Sequence, residues 1–422
     1  MRLAEPKDLT SSVAPISYFN FIVGVNLFRS SHSKNIHALI TLYFTVFWIL
    51  CVFMYYTAMT VLVSSYFGNR SSTAATMYQA LVYTNAIVAL TVPLLVLYSQ
   101  KGLEEFMQRM EKLTDTFTTV LGFEKNYKSL VRQQLYYIMA IIVVILLIMI
   151  SDLSWLKSDQ TLLTNIAIMI TLHHPILVML VTDFTFFCVV RFVWIKFQLI
   201  NVALLSLTEP QINPYIRTKL VKVSPKNTIS SFQGIGNAET KNASQKRYLF
   251  QTIRKSHLEL SKLVVKLNTV FGMQNLISMG VSMVMITGLL YTIYSGAQIK
   301  HGVRNILKEI LPPACWCVVY ILKILAVSHS CANTSDEAQK SGQIIYTILG
   351  SAIDRDFQKE IQEFALQMIQ NPVRFTACGF ITLDYTYVQG VIGSITTYLV
   401  ILIQMSDTSA VPPTTSPNKT VT

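Results

Sequence analysis

A chain of 422 residues that is 52% hydrophobic, only 13% charged and has a mean hydropathy of +0.46 is not an ordinary soluble globule, in which about a quarter of the residues carry charge. The formal net charge of +12 does not point to nucleic acid, because the basic residues form neither a single face nor an arginine-rich run and fall between apolar blocks. HExxH, GxSxG and paired intramembrane carboxylates are absent, and the six cysteines sit in or beside apolar blocks, so no enzyme, cofactor, metal site or disulfide framework is expected.

In chain order, residues 1–36 form a mixed N-terminal segment without a cleavable signal, holding an amphipathic patch at Ile16–Phe28 suited to the membrane surface or the underside of a bundle. Seven apolar blocks follow: His37–Tyr66, Met77–Tyr98, Leu135–Leu156, Ile168–Ile195, Val270–Ala297, Ile306–Val327 and Leu383–Met405. Each is long enough to cross ~30 Å of hydrocarbon at ~20 residues per span. With the N-terminus inside, the four inner segments hold four, six, twelve and four Lys and Arg, and the outer segments hold six. That bias predicts a cytoplasmic N-terminus and an extracellular C-terminus.

The sequons at Asn69 and Asn418 fall on the outer side and are the expected glycosylation sites; those at Asn242 and Asn333 fall inside. The inner loop Glu104–Arg132 reads as solvated helix and residues 208–245, with three prolines and two glycines, as a flexible loop. Helical spacing returns at Leu249, Ile253, Leu260, Val264, Leu267 and Phe271, and again from Ile344 to Met368 until Asn371-Pro372 stops it. The predicted fold is therefore an all-α membrane protein. Spans one to six occupy 37–328, cytoplasmic anchor helices 329–382, the last span 383–405 and a disordered outer tail 406–422.

In the last span Gly390, Ser394, Thr397, Ile401 and Gln404 recur at spacings of three and four, which makes one narrow, mostly small or polar stripe. Such a stripe serves either as a pore face or as a seam against a neighbouring helix. Spacing alone gives even weight to both.

Thr397-Tyr398, five apolar residues, then Gln404-Met405 closely resembles the signature of insect gustatory receptors, which ends in Gln-Phe. The likeness extends to seven spans, an inner N-terminus, short outer loops, a long fourth-to-fifth inner loop and Cys378-Gly379 before the last helix. The resemblance implies a ligand-gated, non-selective cation channel of the plasma membrane, similar to insect odorant receptors. Four subunits each place the seventh span around a central pore, and the cytoplasmic helices hold the homotetramer together. Ser394, Thr397, Ile401, Gln404 and Met405 would then line the pore and gate, with Met405 an apolar plug in place of Phe. The expected partners are a small-molecule tastant, monovalent and divalent cations, and the lipid bilayer.

In that topology the tastant pocket lies among the outer halves of spans two to six, which carry Tyr78, Tyr83, Asn85, Asp152, Trp155, His173, His174, Tyr291, Tyr294 and Trp316 as the candidates. The competing reading of these aromatics is an interfacial belt. Pro313 stands where fructose-responsive relatives tend to have an amide, and Leu399 where the sweet-taste clade tends to have Glu. Both departures favour a bitter plant compound over a sugar. Asp183 and Lys323, both toward the inner half, are expected to form a structural ion pair. His173-His174, just before Pro175, reads as a pair of helix-start histidines. A G-protein-coupled receptor is disfavoured by the missing Asp-Arg-Tyr and Asn-Pro-x-x-Tyr motifs, and a transporter by the absence of a repeated half.

Overall fold

Apolar runs of this length leave the backbone no hydrogen-bonding partner but itself, and the chain answers with helices. The computed structural model describes residues 8–26, 34–62, 72–125, 127–153, 161–207, 242–298, 303–351 and 354–409. Two short helices, α1 (Leu9–Ser12) and α2 (Ala14–Ile22), precede α3 (Lys34–Leu62), α4 (Ser72–Thr119), α5 (Tyr127–Leu153), α6 (Leu162–Ser206), α7 (Asn242–Gln298) and α8 (Val303–Ser351). Then come α9 (Arg355–Gln370), a minimal hairpin of β1 (Thr376–Ala377) and β2 (Ile381–Thr382), and α10 (Tyr385–Ser409). Seven of the described helices, α3 to α8 and α10, are long and apolar enough to cross a membrane.

Four of them are far longer than a bilayer requires. α4, α6, α7 and α8 have 48, 45, 57 and 49 residues. At 1.5 Å per residue they reach roughly 70 to 85 Å, more than twice the ~30 Å of hydrocarbon. Several helices therefore run on past the expected span ends. The sixth span and the first anchor helix are one continuous α8 with no break at 328. The loop expected from Glu104 as solvated helix is, as far as Thr119, the end of α4, where Phe106, Met110 and Phe117 are buried. His173 and His174 stand well inside α6, not at its start.

The extensions pack into a second layer. α9 is strongly amphipathic, capped by the Asp354 side chain on the Asp356 amide, and buries Ile361 and Phe364. The Phe364 ring lies 5.7 Å from that of Phe250 and 5.4 Å from that of His257, both on α7. Arg254 on α7 pairs with Glu360 and Glu363 on α9. Alongside α5 and α6, α2 is buried through Ile16 and Asn20, whose Nδ2 donates to Thr185 Oγ1 of α6 at 2.9 Å.

After Asn371-Pro372 ends α9, β1 and β2 pair antiparallel, Thr376 with Thr382 and Ala377 with Ile381. The turn between them needs positive φ at two positions, +52° at Cys378 and +73° at Gly379. It is closed by Phe380 N donating to Ala377 O at 3.1 Å. Glycine supplies one such position without cost and cysteine tolerates the other. The hairpin aims α10 back along α7 and α8.

Candidate functional site

At the end of the bundle opposite α9, the helices α4 to α8 enclose a cavity of about 80 Å³. Its walls are mostly aliphatic, and its polar groups converge on one carboxylate. Asp152, at the end of α5, accepts on Oδ2 from Trp316 Nε1 of α8 at 3.1 Å and sits 2.8 Å from His173 Nε2 of α6. The His173 and Trp316 rings lie 5.4 Å apart. One turn further along α8, Tyr320 donates its hydroxyl to Asn85 Oδ1 of α4 at 3.2 Å. Three helices thus meet at one oxygen atom, and a fourth is tied in beside it.

Two local features shape the cavity. Pro175 in α6 and Pro312-Pro313 in α8 all line it, and each proline removes one intrahelical hydrogen bond and loosens the helix there. Opposite them, α4 and α7 come so close that a Cβ on Gly288 would lie 2.6 Å from a methyl of Leu81, itself a wall residue.

Of the ten pocket candidates, Asn85, Asp152, His173 and Trp316 line this cavity together. Tyr83 is 48% exposed on the outside of α4, and Tyr291 is buried in the core of α7 away from the cavity, with Tyr294 half-buried one turn on. The Tyr78 side chain, Trp155, and both expected glycosylation sites, Asn69 and Asn418, lie outside the described residues. Tyr320 was not among the candidates, although it lines the cavity. The available signal was spacing: Trp316, Tyr320 and Lys323 fall on one face of a helix.

Deeper in the bundle, Lys323 Nζ and Asp183 Oδ2 are 2.8 Å apart, each side chain only 4% exposed. Ser278 of α7 sits between them, donating its hydroxyl to Asp183 Oδ2 at 2.6 Å and accepting from Lys323 Nζ at 2.7 Å. The same α8 then touches the last helix. His329 Nδ1 is 2.5 Å from the Tyr385 hydroxyl and His329 Nε2 2.8 Å from Asn333 Nδ2. Further on, Asn201 of α6 donates to Glu337 O at 2.9 Å and Oε1 at 2.8 Å and accepts from the Ser341 hydroxyl at 2.6 Å.

α10 begins at Asp384, whose Oδ1 accepts from the Thr386 amide at 2.9 Å and the Tyr387 amide at 3.3 Å. Partial burial pushes this carboxyl up, but the hydrogen bonds from Thr386 and Tyr387 outweigh it and hold the group below the ordinary aspartate value. Along the helix, Ser394 is half-buried, while Thr397, Tyr398, Ile401, Gln404 and Met405 are exposed in the single chain. Ser394 and Thr397 turn their hydroxyls onto the carbonyls of Gly390 and Gly393 at 2.9 and 3.0 Å, which hides their polarity within the helix. Among the described residues no group of His, Cys, Asp and Glu is placed to hold a metal ion.

The sequence profile of the 7tm chemosensory receptor family matches residues 14–409. Among curated proteins, all from Drosophila melanogaster, the chain is similar to putative gustatory receptor 28b, 26% identical over 23% of this chain and 20% of that protein. It is 25% identical to the gustatory receptor for bitter taste 66a over 41% of this chain and 33% of that one. It is likewise 25% identical to the gustatory receptor for sugar taste 43a over 40% of this chain and 38% of that one. These alignments span about a fifth to two-fifths of the relatives' length. Among solved structures, the insect olfactory receptor OR5 from Machilis hrabei in complex with eugenol shares the fold, with a TM-score of 0.59 at 12% identity over 94% of this chain and 98% of that one. Because the family profile covers nearly the whole chain and seven of its helices can cross a bilayer, the protein belongs to the 7tm chemosensory receptor family, a multi-pass receptor of the plasma membrane and not an enzyme.

Proposed function

We propose that the chain is a gustatory receptor that opens a non-selective cation pore when a small-molecule tastant enters the cavity beside Asp152 and Trp316. The observation that carries this reading is α8. Its Trp316 and Tyr320 close the cavity, and His329, ~20 Å further along the same helix, touches Tyr385 at the start of α10. A helix held at both ends transmits a displacement. A cavity of about 80 Å³ is smaller than the ~150 Å³ that holds one benzene. A tastant of ordinary size therefore binds a widened state better than the closed one, and that difference in affinity is the work available for gating.

In this reading four copies assemble with Ser394, Thr397, Ile401, Gln404 and Met405 around a central axis, and the layer built on α9 is the cytoplasmic anchor. Ile401 and Met405 form an apolar ring that dewets when narrow, and Gln404 amides face a partly hydrated cation when it is wide. The excess of Lys and Arg in alternate gaps supports a cytoplasmic N-terminus and an outer C-terminus, with Asn418 outside. A bitter-taste and a sugar-taste relative match equally well. The preference for a bitter plant compound therefore rests on Pro313 and Leu399.

Whole-cell recording from cells expressing this chain alone, with a panel of alkaloids, glycosides and sugars, tests the reading. Currents without G-protein signalling are expected, with Gln404→Ala or Met405→Ala changing ion selectivity or basal leak. Conduction unchanged in both variants removes α10 from the pore. A separate variant addresses the cavity: Gly288→Ala drives Leu81 into it while gaining about 1 kcal/mol of helix propensity. The expected outcome is a tastant midpoint raised several-fold at unchanged ion selectivity and near-unchanged melting temperature.

A further inference from the structure

The hydrogen positions at His173 follow from what surrounds it. Nδ1 is 2.7 Å from Met169 O, and a carbonyl only accepts, so Nδ1 carries a hydrogen. Nε2 is 2.8 Å from a carboxylate oxygen, so a second hydrogen lies between Nε2 and Asp152. The pair therefore holds one proton beyond neutral imidazole and ionised carboxylate. His174 differs: Nε2 donates to Val23 O at 3.1 Å and Nδ1 accepts from the Tyr55 hydroxyl at 2.6 Å, which satisfies the neutral ring.

We infer that this cavity is a site for one exchangeable positive charge, held as the His173 proton in the closed state and replaced by the ammonium group of an amine ligand. The inference rests on the cavity being the tastant site. Binding is then an exchange: the ammonium enters against Asp152 with its proton kept, the proton on His173 Nε2 leaves for solvent, and the hydrogen on Nδ1 stays with Met169 O. The buried charge is the same before and after, so the low-dielectric surroundings do not penalise the swap. The walls suit it as well, since Trp316 and Tyr320 line the cavity and aromatic rings attract cations. An anion would meet Asp152 with the indole N–H already used.

Few other groups face the pair. Among the lining residues the only other titratable side chain is Tyr320, which donates to Asn85; α4 and α7 contribute none. Lys323 and Asp183, further along α8 and α6, neutralise each other.

The test uses the purified full chain and amine–alcohol pairs of equal size: n-butylamine with n-butanol, benzylamine with benzyl alcohol, and 2-phenylethylamine with 2-phenylethanol. Titration calorimetry at a fixed, mildly acidic pH in two buffers of different ionisation heat counts protons released on binding. The expected result is tighter binding of the amine in at least one pair with close to one proton released, and no release with its alcohol. His173→Gln keeps a donor for Asp152 and should bind the amine without releasing a proton. Asp152→Asn should lose at least tenfold in amine affinity and leave the alcohol unchanged. An alcohol that binds as well as its amine, or an amine that releases no proton from the unaltered chain, overturns the inference while the cavity stands as a ligand site. Silence from all three pairs also overturns it, and the response of tastant currents to Gly288→Ala then decides separately whether the cavity is the tastant site.

Discussion

Replacing Lys323 with Met is expected to destabilise the protein by about 3–5 kcal/mol, because removing one partner of a buried pair strands the other. The stranding here is severe. Asp183 makes its described bonds through Oδ2 alone, and Oδ1 has no protein partner among the described residues. Without Lys323 the carboxylate keeps a single hydroxyl, that of Ser278. The double change Asp183→Leu with Lys323→Met removes both charges at similar volume and should recover most of the loss. Exchanging the two, Asp183→Lys with Lys323→Asp, should recover only part, since Lys323 Nζ lies 3.5 Å from the Ser278 carbonyl and an aspartate there would face it oxygen to oxygen. Melting temperature by fluorescence-detected gel filtration reads all four chains. A swap that restores full stability would show that the Ser278 carbonyl plays no part.

Asn201→Ala is the second large effect, expected at about 2–4 kcal/mol. Asn201 is fully buried where α6 and α8 pack beyond the apolar spans, and one carboxamide serves Glu337 twice and Ser341 once. Truncation leaves a buried carboxylate oxygen and a hydroxyl without those bonds; Glu337 keeps its 2.8 Å contact to Lys340. Asn201→Asp should be worse than Ala, because it sets a second carboxylate against Glu337 Oε1. Amide exchange along α8 near Glu337 should accelerate in both. Equal stability of the Asp and Ala variants would mean that the Asn201–Glu337 contact is not formed.

Neither effect is confined to stability. Trp316, Tyr320 and Lys323 stand on one face of α8, and each reaches a different helix: α5, α4 and the α6–α7 pair. Under the proposed function, loosening any of them would alter how α8 carries a displacement from the cavity to Tyr385. A Lys323→Met chain that reaches the cell surface should therefore show altered tastant sensitivity even where its pore properties are intact.

Much of this was legible in the chain itself. Seven apolar runs of adequate length, the basic bias of the gaps, and a polar stripe inside the last run each follow from how a bilayer prices backbone and charge, and that pricing is local in sequence. Asp183 and Lys323 announced themselves by the same rule, since an isolated charge in hydrocarbon demands a partner. Helix ends were less readable. The spacing from Leu249 to Phe271 does run straight into the fifth span, and Glu104–Arg132 reads as helix; what was missed is that α4 buries Phe106, Met110 and Phe117 there, since hydropathy averages such residues away.

Class, span count and the need for pairing were thus decided by the sequence, because each depends on one residue and its solvent. The meeting of Asp152, His173 and Trp316 at one oxygen was decided only by the tertiary structure. Those residues are separated by 21 and 143 positions along the chain. Nothing local distinguishes a tryptophan of the interfacial belt from one whose N–H faces a carboxylate, and the difference is made by the angle at which three helices cross.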